Sequence, residues 1–357
     1  RLFSPAERLS RVGMQSLKIG VVGAGANTRL RHIPGFQEIE GVSVDVVCNR
    51  SEASSRSAAE AFGIPRIAKS WQEVVEDPEI DAICIGTWPY LHAPIAIAAL
   101  EAGKHVLTEA RMAMNADEAE AMLEASMNHP GQVAQIVPAP FTLKWDATVK
   151  RLLESGEIGS LREASFFKSL GLNVDENASL NWRQDKELSG NNMLMLGIYY
   201  EVIQRWIRVE PDRLLAQGAV FTKQRRVGST DKKVAIEIPE TVTAIAEYES
   251  GMRLVAQMSG LELGHATDQY VLNGSKGTLR LDLRAGKLWK TVLGKPEELV
   301  EPPESEAQDW RVEADFVDSI REGKAVTLTS FEDGLAYMRF TDAVAQSIAA
   351  DSAWVSL

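Results

Sequence analysis

The sequence predicts a two-domain α/β protein. Residues 14–138 read as a Rossmann-type, doubly wound parallel sheet, and residues 139–357 as an α+β domain with an open antiparallel sheet. Three observations predict this. Short apolar runs alternate with helix-forming segments from Leu17 to Pro138. The first run ends in a glycine-rich turn. After Pro138 the rhythm changes, and strand-like runs follow one another across tight-turn residues.

The apolar runs of the first part are LKIGVVG, VSVDVVC, DAICIG, KHVLTE and GQVAQIV. Between them stand SEASSRSAAEAFG, SWQEVVEDP, APIAIAALEAG and NADEAEAMLEASMNHP, all of helical composition. Ser51 reads as an N-cap, Gly63 and Gly103 as C-terminal stops, and Asn115 with Glu118 as a capping-box variant. In the second part WDATVKRLLESGEIG predicts an amphipathic helix and LREASFFKSL a strand. SGNNMLMLGIYYEVIQRWIR predicts mostly one long helix. ETVTAIAEYES, GMRLVAQMSG, DQYVLNGSKGTLRLD and GKLWKTVL predict the sheet, and DWRVEADFVDSIREGK and FEDGLAYMRFTDAVAQSIAADS predict closing helices.

The glycine turn is Gly23-Ala24-Gly25-Ala26-Asn27-Thr28, after a strand and before a helix. The first glycine permits a tight turn, the second lets the backbone approach a pyrophosphate, and the helix N-terminus offers free N–H groups to the phosphates. Thr28 replaces the third glycine of the G-x-G-x-x-G fingerprint. At the end of the second strand stand Asn49, Arg50 and Ser51. A carboxylate there would hold the ribose hydroxyls of NAD, whereas Arg50 and Ser51 suit the 2′-phosphate of NADP. The expected cofactor is NADP, with NAD as the alternative; a solvated surface Arg50 is the competing reading.

A net charge of -12 argues against a partner with a phosphate backbone, so nucleic acid is not expected. No apolar run approaches the roughly 18 residues that span a membrane. RLFSPAERLSRVG lacks the apolar core of a secretory signal, and Met14 is a candidate start. Cys48 and Cys84 sit inside apolar runs, away from any metal-ligand spacing, and read as small buried hydrophobes in a reducing, cytoplasmic compartment. Five scattered histidines predict no metal site.

From about Leu17 to its end the chain resembles the Gfo/Idh/MocA family. The stretches that carry the resemblance are GAGANTRLRHIPGF, IGTWPYLHAPIAIAALEAGKHVLTEARMA, GNNMLMLGIYYEVIQRW and FEDGLAYMRFTDAV. Thr87-Trp88-Pro89-Tyr90-Leu91-His92 stands for the family's T-P-x-x-L-H pattern. The resemblance implies NAD(P)-dependent oxidation or reduction at a carbinol carbon of a sugar or cyclitol, with the open sheet joining dimers or tetramers. It places Thr87, Trp88, His92 and Glu109 beside the cofactor, with His32 near it. Two departures follow. The family's Glu-Lys-Pro reads Glu109-Ala110-Arg111, and its helical Asp and His read Met195 and Tyr199.

On that resemblance Tyr199 is the candidate proton shuttle. A tyrosine titrates at about 10, so base work near neutral pH requires a cation to lower it. Arg111 and Lys144 are the first candidates for that cation, and Lys168 a weaker one. A core aromatic competes for Tyr199, and a structural ion-pair partner for Arg111. Trp182 and Arg183 suit a polyol or acid substrate, or form a tucked surface loop. Asn191 and Asn192 are placed to meet ligand, or to cap a helix. The expected function is an NAD(P)-dependent oxidoreductase of a sugar-like or polyhydroxylated substrate. A lyase or glycoside hydrolase using transient redox, and a redox-inactive regulator, are the alternatives.

Overall fold

The computed structural model describes residues 16–264 and 266–357, so Met14 and the segment before it lie outside the described residues. The chain forms two compact units. The first takes the chain up to Ala113, Asp117–Pro138 and Arg311–Glu332; the second takes Met114–Ala116, Ala139–Trp310 and Asp333–Leu357.

The first unit carries β1 (Leu17–Val22), α1 (Ile33–Glu38), β2 (Val42–Cys48), α2 (Glu52–Phe62), β3 (Arg66–Ile67), α3 (Trp71–Glu76), β4 (Ala82–Ile85), α4 (His92–Glu101), β5 (His105–Thr108), α5 (Ala116–Asn128) and β6 (Ala134–Ile136). The six strands are parallel, in the order β3-β2-β1-β4-β5-β6. Helices on both faces explain why β4, AICI, is buried at every residue. The strand order reverses between β1 and β4, and ligands of such sheets bind at the carboxyl ends beside that point. Before α1 the chain makes a π turn, Thr28–His32. Pro34 has no N–H for the carbonyl of Leu30, and Ile33 N–H instead bonds the carbonyl of Thr28.

The second unit begins with α6 (Leu143–Glu154), β7 (Leu161–Ser169) and α7 (Leu196–Ile207). Its sheet continues with β8 (Arg213–Ala219), then a small pair, β9 (Gln224–Arg226) and β10 (Lys233–Ala235). There follow β11 (Thr241–Glu247), β12 (Arg253–Ser259), β13 (Asp268–Gly274), β14 (Gly277–Asp282), β15 (Lys287–Val292) and β16 (Glu298–Val300). The sheet order is β16-β15-β14-β13-β7-β12-β11-β8, with Val355–Ser356 on the β8 edge. Neighbours are antiparallel except β7 and β12. The parallel pair arises because β7, earliest in the chain, lies between two sets of sequential strands. The predicted long helix starts only at Leu196, since Gly190 and Leu194 adopt positive φ of 66° and 48°.

One face of this sheet is buried under α7. Tyr199 and Tyr270 stack at 5.5 Å, and Trp206 meets Tyr270 edge-on at 5.1 Å. Deeper polar groups are paired: Arg205 bonds Asp146 at 2.5 Å and Glu201 at 2.6 Å, and Arg225 pairs with Glu240 at 3.4 Å. The opposite face carries a half-exposed transverse row, Leu215, Ile245, Val255, Val271 and Trp289, in cross-strand register with Ser165 and Arg280.

The last helices are α8 (Val312–Glu322) and α9 (Phe331–Ala349). Although α8 follows the second sheet in sequence, it belongs to the first unit. Phe316 packs edge-on against Phe36 of α1 at 6.2 Å, and Thr329–Ser330 adds an antiparallel strand to β6. No helix among the described residues is long and apolar enough to cross a membrane.

Candidate active site

In the first unit the carboxyl ends of β1, β2 and β4 surround a cleft of about 390 Å³. Gly23 turns with φ 88°, and a Cβ there would stand 2.6 Å from the Thr87 backbone nitrogen. Only glycine therefore lets the loop lie this close to the end of β4. Gly25 N–H bonds the carbonyl of Gly23 at 2.9 Å, and the chain is helical from Ala26 and Asn27 onward. Thr28 is buried against Gly86, and the hydroxyls of Thr28 and Thr87 are buried without a hydrogen-bond partner among the described residues. Orphaned donors, a helix N-terminus and a glycine turn fit a dinucleotide pyrophosphate.

Asn49 ties the loop to β2: Ala24 N–H donates to its Oδ1 at 2.6 Å, and its own amide donates to Ser54. Ser51 caps α2 by accepting from Ser54 N–H. Arg50 is exposed, with its guanidinium carbon 5.0 Å from the Trp88 ring centroid. The cleft is lined by no carboxylate, and its cations are Arg50 and Lys69. Lys69 and Ser70 escape a reading of the sequence alone. They follow β3, a two-residue strand whose pairing with β2 brings them to the cleft.

Below the loop lies a buried charged group. Asn27 donates to Glu109 Oε1 at 2.6 Å, and His32 bridges Glu109 at 3.0 Å and Glu313 at 2.5 Å. Burial alone would lower the His32 pKa, but the two carboxylates raise it to about 9. Burial alone would raise the Glu109 carboxyl, yet the hydrogen bonds from His32 and Asn27 and the imidazolium charge hold it below the usual range. His92 places its ring nitrogens on the carbonyls of Thr87 and Arg111, at 3.0 and 2.9 Å, and burial lowers its pKa. The Arg111 side chain is buried. Glu313 is invisible to sequence reasoning because α8 lies so far along the chain.

In the second unit Tyr199 is fully buried, and its hydroxyl donates to Asp268 Oδ1 at 2.7 Å. Burial, with the Asp268 carboxylate second, pushes its pKa upward. Base work by Tyr199 required a lowered value, so the phenol is here a hydrogen-bond donor. The lysine at this hydroxyl is Lys168, which bonds Asp268 and lies 5.6 Å from the Tyr199 ring centroid. Lys144 is exposed on α6, 3.7 Å from Glu301 and 5.3 Å from the Trp145 ring centroid. Arg183 stacks on Trp182 at 4.3 Å. Asn191 donates to Asp342 at 2.8 Å, and Asn192 to the Ser189 carbonyl at 2.7 Å.

Residues 17–135 match the oxidoreductase family GFO_IDH_MocA, described by its NAD-binding Rossmann fold, and residues 147–280 match the C-terminal domain of the same family. The chain belongs to the Gfo/Idh/MocA oxidoreductase family. Levoglucosan dehydrogenase of Pseudarthrobacter phenanthrenivorans is 26% identical across 96% of this chain and 99% of that protein. An uncharacterized oxidoreductase of Rhizobium meliloti is 31% identical over 57% of this chain, and the match spans 60% of that relative's length. The structure of levoglucosan dehydrogenase in complex with NADH and levoglucosan has a TM-score of 0.85 at 21% identity, over 96% of this chain and 99% of that one, which shows a common fold.

Asn27 and His32 both meet the Glu109 carboxylate below the glycine loop.

Proposed function

We propose that this oxidoreductase binds NADP(H), and NAD(H) more weakly, along the glycine loop and moves a hydride between it and a carbinol or carbonyl carbon of a sugar-like or polyhydroxylated substrate. The cleft of the first unit carries the proposal. It combines the Gly23 turn, orphaned hydroxyls and the cations Arg50 and Lys69, with no carboxylate to repel a 2′-phosphate. Gly23, Gly25, Ala26, Asn27 and Thr28 would cradle the pyrophosphate; Asn49, Arg50 and Ser51 would take the adenosine ribose. Thr87, Trp88, His92 and Glu109 would lie toward the nicotinamide half. When bound, the dinucleotide supplies the hydride acceptor or donor. The relatives named as sugar dehydrogenases support the substrate class.

Among the second unit's candidates, Tyr199 would act as a hydrogen-bond donor, held by Asp268, and Trp182, Arg183, Asn191 and Asn192 as polar contacts to substrate; in the first unit Arg111 would serve as a buried cation. Lys144, paired with Glu301 in solvent, has the weakest support. The half-exposed row on the second sheet suits a homodimer or homotetramer built face to face. The buried free thiols of Cys48 and Cys84 suit a reducing, cytoplasmic compartment.

The test is a fluorescence titration of the purified protein with NADPH and, separately, NADH. Tighter binding of NADPH is expected; binding of neither would remove the dehydrogenase reading and favour a redox-inactive regulator.

A further inference from the structure

Glu109 is the first residue after β5, and its N–H continues the ladder by bonding the Ile85 carbonyl of β4 at 2.9 Å. In the strand order β2-β1-β4-β5 it stands across the switch point from Arg50 and Ser51. A dinucleotide lies across that crevice with one nucleoside on each half. With the adenosine at β2, the nicotinamide half falls to the ends of β4 and β5, on the side of Glu109.

The Glu109 carboxylate is held by one oxygen. Oε1 accepts from Asn27 at 2.6 Å and from His32 at 3.0 Å, whereas Oε2 has no hydrogen bond among the described residues. The Glu109 side chain is 17% exposed, against 0% for His32 and 5% for Glu313, so the group turns a carboxylate outward. Both ring nitrogens of His32 rest on carboxylates, Nδ1 on Glu313 and Nε2 on Glu109. A neutral imidazole donates from only one nitrogen, so the bridge calls for an imidazolium. Glu313 takes one half of that cation, and Glu109 keeps a whole oxygen for a ligand. Glu313 lies in the first turn of α8, where the helix dipole favours a carboxylate. It reaches His32 because α1 carries Gly35: a Cβ there would stand 2.9 Å from the Glu313 carboxyl. Among the described residues, His92 and Cys84 also sense Glu109, and Asp315 senses Glu313. Burial lowers the His92 pKa and raises that of the Cys84 thiol, so neither brings a charge near neutral pH.

We propose that Glu313 and His32 are positioning residues that keep Glu109 an ionised, outward-facing carboxylate, and that this carboxylate makes the chain prefer the oxidised dinucleotide to the reduced one. The proposal rests on the dinucleotide reading of the cleft. An oxidised nicotinamide ring is a cation and hydride addition makes it neutral, while the phosphates are common to both forms. A fixed carboxylate on the nicotinamide side thus fills the site with the hydride acceptor and releases the reduced form more readily. Without His32 the burial of Glu109 would be unopposed, and its carboxyl would take a proton. Without Glu313 the imidazolium would rest on Glu109 alone and offset its charge.

The experiment titrates the full chain, freed of bound nucleotide, with NADP+, NADPH, NAD+ and NADH by calorimetry. Its reading is the ratio of the reduced to the oxidised dissociation constant, for the pair that binds more tightly. Glu109→Gln lowers that ratio by at least about tenfold. At about pH 6, where the imidazolium persists, Glu313→Gln lowers it by at least about threefold. Gly35→Ala, which displaces Glu313 without removing a charge, moves it in the same direction. In His32→Gln the ratio rises between about pH 5.5 and pH 8 as the Glu109 carboxyl ionises, while that of the unaltered chain stays level there. Where Glu313→Gln lowers the melting temperature sharply, Gly35→Ala and the unaltered chain carry the test, the ratio of the latter climbing as pH passes about 9 and the imidazolium is lost. Variants that change both affinities together, and so leave the ratio as it is in the unaltered chain, make the bridge purely structural; they overturn the proposal and leave the dehydrogenase reading standing. Binding of no dinucleotide overturns both.

Discussion

Thr28 fills the space that residue 86 leaves free. A Cβ on Gly86 would overlap both the Thr28 hydroxyl and the Gly23 carbonyl oxygen. The third glycine of a dinucleotide fingerprint normally permits close packing of helix on strand. Here the requirement has moved across the contact, from the helix to the end of β4. Gly86→Ala is therefore expected to destabilise the protein by about 1–3 kcal/mol through overpacking. Adding Thr28→Gly should recover only part of the loss, because the Gly23 carbonyl remains in the way. Denaturant midpoints of the three variants check this, and full recovery in the double variant would refute it.

The contact of Arg50 with Trp88 leaves the guanidinium at the rim of the cleft, where a 2′-phosphate would sit. A charge-assisted hydrogen bond contributes about 1.5–3 kcal/mol. Arg50→Ala should thus weaken NADPH binding by at least about tenfold and leave NADH binding within about twofold. Equal losses for the two cofactors would remove Arg50 from phosphate recognition.

The bridge from Glu109 through His32 to Glu313 makes stability depend on alkaline pH. The His32 pKa rises from an ordinary 6.5 to about 9 on folding. A raised folded-state value adds stability that is complete below pH 6.5 and is lost as pH rises through 9. The contribution is on the order of 3 kcal/mol. Melting temperatures between pH 6 and pH 10 should fall across that window, and more gently in Glu313→Gln. An unchanged slope in that variant would contradict the bridge.

Arg225 is fully buried against Glu240 and donates to the carbonyls of Asn173, Asp175 and Ala178. Breaking a buried pair by removing one partner costs about 3–5 kcal/mol. Arg225→Met should show that loss in chemical denaturation, together with faster proteolytic cleavage near 173–178. Wild-type cleavage rates would mean that the segment is held by other contacts.

The exposed face of the second sheet gives a test of assembly. Ile245 and Val255 are cross-strand neighbours at the middle of its apolar row. Replacing Val255 by lysine places an unpaired charge there and should shift the protein to a smaller species in sedimentation velocity. An unchanged sedimentation coefficient would refute assembly through this face.

Local chemistry in the sequence was enough for much of this protein. Buried parallel strands read as unbroken apolar runs, and glycines mark many of the turns with positive φ, as at Gly63 and Gly103. So the alternation of strand and helix, the glycine loop and Arg50 at the end of the second strand were legible without coordinates. The tertiary structure decided the rest, because it joins residues whose distance along the chain hides their relation. Glu313 reaches His32 across 281 positions, and Asp268 reaches Tyr199 across 69. Helix periodicity located Tyr199 but could not show that its hydroxyl meets a carboxylate, which decides that the phenol keeps its proton. The side chain on a neighbouring element sets a pKa, and only the packed fold determines which element that is.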